Sequence, residues 1–255
     1  MQPAWWLGEI GFWSFLATAS AAALFSRGKP GPAGRAAAWA AGAAGAAMLA
    51  GICLQIGRPP LSGALESLGY MAFLLALLAL HARAGGPAML RVASLLWWAV
   101  VVLLALLALL PRQVNPDWFI YQHFWTRSFF LCRVTALPLL LYSSLAALAW
   151  PGLAEGNEPR RVMMHRSRRY LLLGTAMFLV GEVSGFYWCL NWRGDYWLWN
   201  RNFLESTMIF LLASAALHLP PRLAANPKFL RLAYGLPGLL AMAAYLAHQA
   251  TEAFL

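Results

Sequence analysis

The chain has 255 residues, 61% of them hydrophobic and only 11% charged, with a mean hydropathy of +0.60 and a formal net charge of +10. That balance excludes a soluble globular domain, because runs of about 20 apolar residues span a bilayer. The basic excess does not indicate nucleic acid as a partner: Lys and Arg gather in a few short loops, which is a topology signal.

The apolar pattern predicts an all-α, polytopic integral membrane helical bundle of about eight transmembrane helices, with residues 1–255 forming a single membrane domain. In chain order the helices are expected at 8–26, 35–56, 63–82, 91–110, 124–149, 170–190, 202–219 and 232–253. The first run carries its positive charges after it rather than before it, the reverse of a cleavable signal peptide. The second is rich in Ala and Gly over 36–51 and suits close packing against another helix. In the third, Glu66 reads as a helix-start carboxylate near water, with Ser62 as its cap. Cys53, Cys132 and Cys189 lie within or at the ends of apolar runs, with spacings that match neither a disulfide framework nor a zinc site.

Loops 27–35, 83–91, 150–169 and 220–231 hold three, two, five and three Lys or Arg, thirteen in all. The opposite side has four: Arg58, Arg112, Arg193 and Arg201. The positive-inside rule places the thirteen in the cytoplasm and both termini outside. His123 then opens the fifth helix at the outer face. His248, 17 residues past Arg231, lies about 25 Å across from it, near the same face. His218, His81 and His165 fall on the inner side. Within the membrane, Glu182 and Arg133 sit at comparable depth, which makes Arg133 a candidate partner, and the sequence does not decide whether the two touch.

The outward segment Trp192-Arg-Gly-Asp-Tyr-Trp197-Leu-Trp199-Asn-Arg-Asn packs three tryptophans and a tyrosine into eight residues. Trp5, Trp6, Trp97, Trp98 and Trp118 read as an interfacial aromatic belt. The denser trio reads as a platform for a large planar ligand, with Gly194 allowing close backbone approach.

These motifs resemble those of the CcsA/ResC proteins, the membrane haem-handling subunits of system II cytochrome c biogenesis, related to CcmC and CcmF. The segment Arg58-Pro-Pro-Leu-Ser-Gly-Ala-Leu-Glu66-Ser-Leu is similar to that family's "PLSNLYESL". Arg168-Arg-Tyr170 matches its basic Tyr-Arg element. Trp192, Tyr196, Trp197 and Trp199 match its tryptophan-rich "WWD" loop. Ala216-Leu-His218 and Tyr245-Leu-Ala-His248 stand where its last two histidine-bearing helix ends fall. The resemblance covers roughly 55–255. Three departures stand out. Asn200 replaces the WWD aspartate, Arg-Asn-Phe-Leu-Glu205 replaces the family's Pro-Lys-Glu-Thr, and Phe-Trp-Thr-Arg127 follows the first outer histidine.

The resemblance implies a component of a haem lyase/synthase in the bacterial cytoplasmic (inner) membrane. Its cofactor would be non-covalent haem b, since the chain has no Cys-x-x-Cys-His of its own. Its partners would be a CcsB/ResB-like membrane protein and a c-type apocytochrome, with no nucleic acid. It implies metal ligation by His123 and His248 at the outer face and by His218 at the inner, against the ordinary alternative of interfacial hydrogen bonding. Trp192, Tyr196, Trp197 and Trp199 would cover the haem. Arg127 and Arg201, with Arg193, would pair its propionates, or else balance Asp195 and Glu205. No catalytic residue is identified. Two other readings stay open: a b-haem or quinone-interacting subunit of a respiratory complex, to which the departures point, and a haemless membrane scaffold.

Overall fold

The computed structural model describes residues 5–26, 31–61, 63–86, 89–112, 123–149, 158–194 and 201–254, with the side chains of Trp5, Trp6, Arg193 and Arg201 outside that description. The described elements are all helical: α1 (Trp5–Phe25), α2 (Pro32–Ile56), α3 (Ala64–Ala84), α4 (Leu90–Leu109), α5 (Phe124–Leu148), α6 (Glu158–Arg193), α7 (Arg201–Leu217), the short α8 (Pro221–Ala224) and α9 (Pro227–Phe254). Seven of them are long and apolar enough to cross a membrane. The other expected span, α7, is apolar over Leu204–Leu217 but shorter. Its 17 residues reach about 25 Å, less than the ~30 Å hydrocarbon core.

Two expected loops are helical in part. The arginine-rich stretch before Tyr170 forms the first turns of α6. It follows helical periodicity: Met163, Ser167, Leu171 and Gly174 make one buried stripe, while Arg161, His165 and Arg168 face out. Pro159 stands in the first turn, where a missing N–H costs nothing. The 220–231 connection holds α8 and the start of α9, and Asn226 caps α9 by accepting from the N–H groups of Lys228 and Phe229 at 3.0 and 3.3 Å.

The chain divides into two compact units, Met1–Asn115 with Gln249–Leu255, and Pro116–His248. In the first, α1 packs on α2, α2 on α3, α3 on α4, and α4 back on α1. The small residues of α2 make this possible. A Cβ on Gly45 would meet the rings of Phe73 and Phe15 at 2.9 and 3.0 Å, and one on Gly11 of α1 would meet the Met48 backbone at 2.8 Å. Trp97 is fully buried in this unit, not a belt residue. The expected belt residues Trp5 and Trp6 (by side chain) and Trp118 lie outside the described residues.

Gly57, at φ +67°, ends α2 in the left-handed conformation and donates to the Cys53 carbonyl. Arg58 follows and returns to α3. Its Nη1 and Nη2 donate to the two oxygens of Glu66 at 2.6 and 2.9 Å, and the Leu61 N–H donates at 3.1 Å. Glu66 is 0% exposed. It does lie in the first turn of α3, but it is a chelated, buried anion, not one reached by water. The helix cap is Gly63, and Ser62 lies outside the described residues.

In the second unit α5 and α6 lie antiparallel along almost their whole common length. Gly174 stands opposite Leu140, Gly181 opposite Arg133, and Gly185 opposite Phe129, with the added Cβ atoms meeting neighbours at 2.8, 3.4 and 2.7 Å. Spaced by seven and four residues, these glycines share one face of α6. α9 approaches α5 closely at one point, where a Cβ on Gly238 would collide with the Leu140 carbonyl. Pro237 interrupts α9 here. The Ser144 hydroxyl inserts into the ladder, accepting from Gly238 N–H at 3.1 Å and donating to the Tyr234 carbonyl at 3.4 Å.

The Arg58–Glu66 clamp sets the expectation for a double-mutant cycle. Glu66→Ala should destabilise the protein by about 3–5 kcal/mol, because it leaves a mostly buried guanidinium uncompensated. Arg58→Ala together with Glu66→Ala should cost less than the sum of the singles, measured as thermal unfolding in detergent.

Candidate functional site

The second unit carries a ladder of rings between α5 and α6 at the end where α5 begins and α6 finishes. His123 is the N-cap residue of α5, in extended conformation, and its side chain is exposed. Its imidazole lies edge-on to the Trp192 indole, with centroids 6.2 Å apart at 73°. Trp125 stacks on Tyr187 at 4.7 Å and 20°. Deeper in, Trp188 packs against Phe129 and Phe130 at 5.7 and 6.0 Å. The Arg133 guanidinium covers the far side of Phe129, 5.3 Å from its centroid.

This wall follows from the helix pairing. With Gly185 against Phe129, the aromatic side chains on either side of the contact must meet their counterparts on the other helix. Gly194, at φ +69°, then ends α6 by donating to the Leu190 carbonyl at 3.0 Å. Among the described residues nothing stands within 4 Å of where its Cβ would be, and its left-handed conformation turns the chain.

The base of the ladder holds a polar group inside the apolar bundle. Arg133 Nη2 donates to the Ser206 hydroxyl of α7 at 2.7 Å. The Glu182 carboxylate of α6 interacts with both the Arg133 guanidinium and the Ser206 hydroxyl. Ser206, 1% exposed, thus links these two groups, a bridge that the sequence did not announce. Trp125, Trp188 and Tyr187 were missed as well; their spacing relative to the glycines of α6 was the available signal.

The other expected site residues are dispersed. Arg127 is exposed, one turn below His123, and its N–H donates to the His123 carbonyl at 3.2 Å. His248 is half-buried on α9. His218 is exposed at the end of α7, its Nδ1 2.9 Å from the Ser214 carbonyl. A carbonyl oxygen only accepts, so Nδ1 carries the hydrogen and Nε2 of the neutral ring keeps its lone pair. Arg201 begins α7. Tyr196, Trp197, Trp199 and Asn200 lie outside the described residues. Among the described residues no group of three or more His, Cys, Asp or Glu forms a metal site.

The donor set suits a planar, carboxylate-bearing group with one open metal position. An exposed imidazole stands at the mouth of an aromatic wall, and Arg127 supplies a cation one turn away. Two buried donors nearby on α5 and α6, Thr126 Oγ1 and Trp188 Nε1, have no hydrogen-bond partner.

Removing one charge at the base of the ladder should separate stability from pairing. Glu182→Ala should destabilise the second unit by about 3 kcal/mol, since Arg133 then lacks its counter-charge within the membrane. Glu182→Ala with Arg133→Leu should recover at least half of that loss in detergent melting experiments.

No family model matches the chain, and no curated protein matches it in sequence. Among solved structures the chain is similar to "Cytochrome c Heme Lyase CcmF", with a TM-score of 0.69 and 19% identity. The superposition covers 98% of this chain and 50% of that one, so this chain spans about half the length of its structural neighbour. The shared feature is the fold: a polytopic, all-α membrane bundle.

Proposed function

We propose that this protein handles haem for cytochrome c assembly, holding non-covalent haem b at the outer face of a bacterial inner membrane. The observation that carries the reading is the contact of His123 with Trp192, which brings an exposed imidazole to the start of the tryptophan-rich segment within a bundle of CcmF-like fold. Bound haem supplies the iron and the vinyl groups at which apocytochrome thiols react. The protein binds and orients. His123 and His248 would ligate the haem iron, and Trp192, Tyr196, Trp197 and Trp199 would cover the haem and exclude water. Arg127 and Arg201 pair the propionates. His218, with Nε2 left as a lone-pair donor, serves an inner-face site. A CcsB/ResB-like membrane protein and a c-type apocytochrome are the partners of this reading, consistent with a chain half the length of its neighbour.

The purified protein is expected to show a low-spin bis-histidine spectrum in both oxidation states. His123→Ala or His248→Ala should abolish that signal or convert it to high spin. An unchanged low-spin spectrum in both variants removes these residues as ligands.

The replacement of the WWD aspartate by Asn200 favours a second reading, a b-haem or quinone-interacting subunit of a respiratory complex. Expression in a strain lacking its own synthase, with a CcsB partner supplied, separates the two. Maturation of cytochrome c by the wild type or by Asn200→Asp supports assembly, and its absence with both favours electron transfer.

The thirteen-to-four charge division supports an orientation with both termini outside. A reporter fused after Leu255 should be active only on the outer side. Activity confined to the cytoplasm reverses the assignment.

A further inference from the structure

The second unit has a polar cluster at its other end, where α5 finishes and α6 and α9 begin. Tyr142 of α5 is 0% exposed; its hydroxyl oxygen interacts with the Arg166 guanidinium, and its O–H has no acceptor. Its ring lies 3.9 Å from that of Tyr170 on α6. Charge interactions link Arg166 to both phenols, exposed Arg169 to Tyr170, and exposed Arg168 to Tyr234 of α9. The nearby serines are already engaged. Ser167 donates to the Ser143 carbonyl at 2.9 Å, with its Oγ 3.2 Å from Ser143 Oγ, and Ser144 bridges the break in α9.

The chemistry of this cluster is one-sided. Guanidinium groups only donate, and a phenol at neutral pH offers an O–H with little basicity. Such a set suits a multi-oxygen anion that can accept several bonds at once. Depth identifies the source. α6 has 36 residues and is about 54 Å long, whereas the hydrocarbon core takes about 30 Å. Counted back from Trp192, the core ends near residue 173, so Arg166–Tyr170 lies in the headgroup layer. Five arginines stand within ten residues of this helix (Arg160–Arg169), which is the charge density that anionic headgroups seek.

We propose that Arg166, Arg168, Tyr142, Tyr170 and Tyr234 form a site for the phosphate group of an anionic phospholipid, seated between α5, α6 and α9 at the membrane surface. The site is independent of the haem reading and lies at the opposite end of α5 from His123. A lipid held here ties the three helices together where the glycine contacts of α5 leave off.

Native mass spectrometry of the detergent-purified protein tests this with phosphatidylglycerol, phosphatidylcholine and inorganic phosphate as probes. Retention of one phosphatidylglycerol, with no retained phosphatidylcholine and no displacement by millimolar phosphate, is the expected result. Tyr142→Phe keeps the ring and removes only the hydroxyl. That change, and separately Arg166→Gln with Arg168→Gln, should lower retention about tenfold, while exposed Arg161→Gln on the same helix should leave it unchanged. Equal retention of phosphatidylcholine, or unchanged retention in both cluster variants, overturns the site. Displacement by free phosphate overturns the lipid as its source. Equal loss in Arg161→Gln reduces the effect to net charge and also overturns it.

Discussion

The approach of α6 to α5 along a line of glycines is the constraint on which the second unit depends. Gly174 and Gly185 leave no room for a methyl group against α5, Gly181 lies in van der Waals contact with it, and Gly238 brings the α9 backbone onto the same helix. Within a bilayer there is no hydrophobic gain in bringing two apolar helices together, so close packing and internal hydrogen bonds must hold them. Everything functional in this unit hangs on that register. The aromatic ladder, the Arg133–Ser206–Glu182 group and the Tyr142–Tyr170 pair lie at successive heights along the α5–α6 pair.

The polar groups inside the apolar body obey one rule, which is that none of the charges is left alone. Glu66 takes two bonds from Arg58 and one from a backbone N–H. Arg133 and Glu182 share a serine from a third helix. Ser144 occupies the gap that Pro237 opens in α9. Each device uses a partner distant in sequence or across a break, because a helix in lipid has no water to turn to. The cost of an unsatisfied group in that medium explains why so few charges are present and why those present lie at helix contacts.

The two ends of the second unit differ in chemistry. One has an exposed imidazole against indole, with hydroxyl and indole N–H donors buried behind it. The other has arginines over phenols at the level of the headgroups. The first suits a flat, metal-bearing ring with carboxylates, and the second a phosphate.

The all-α class and seven of the eight expected spans were legible in the sequence because a bilayer imposes length and apolarity on each span independently of its neighbours. The comparable depth of Glu182 and Arg133 was legible for the same reason, but that Ser206 of a third helix joins them was not. Other features depended on the fold. Glu66 looked like a water-exposed helix-start carboxylate, and it is buried because Arg58 folds back across the Pro-Pro turn. Trp97 looked interfacial and is core, since which face of a helix turns inward depends on its neighbours. The arginine-rich stretch looked like a loop, yet its buried stripe against α5 extends α6 through it. Ser206 carried no mark in one dimension, and Trp125, Tyr187 and Trp188 carried only their spacing from the α6 glycines, because their significance lies in what stands opposite them. The sequence by itself determined the medium, the spans and the residue types at the ends. Only the tertiary structure decided which side chains meet, because the antiparallel register of α5 and α6 is set by where glycines allow backbones to touch.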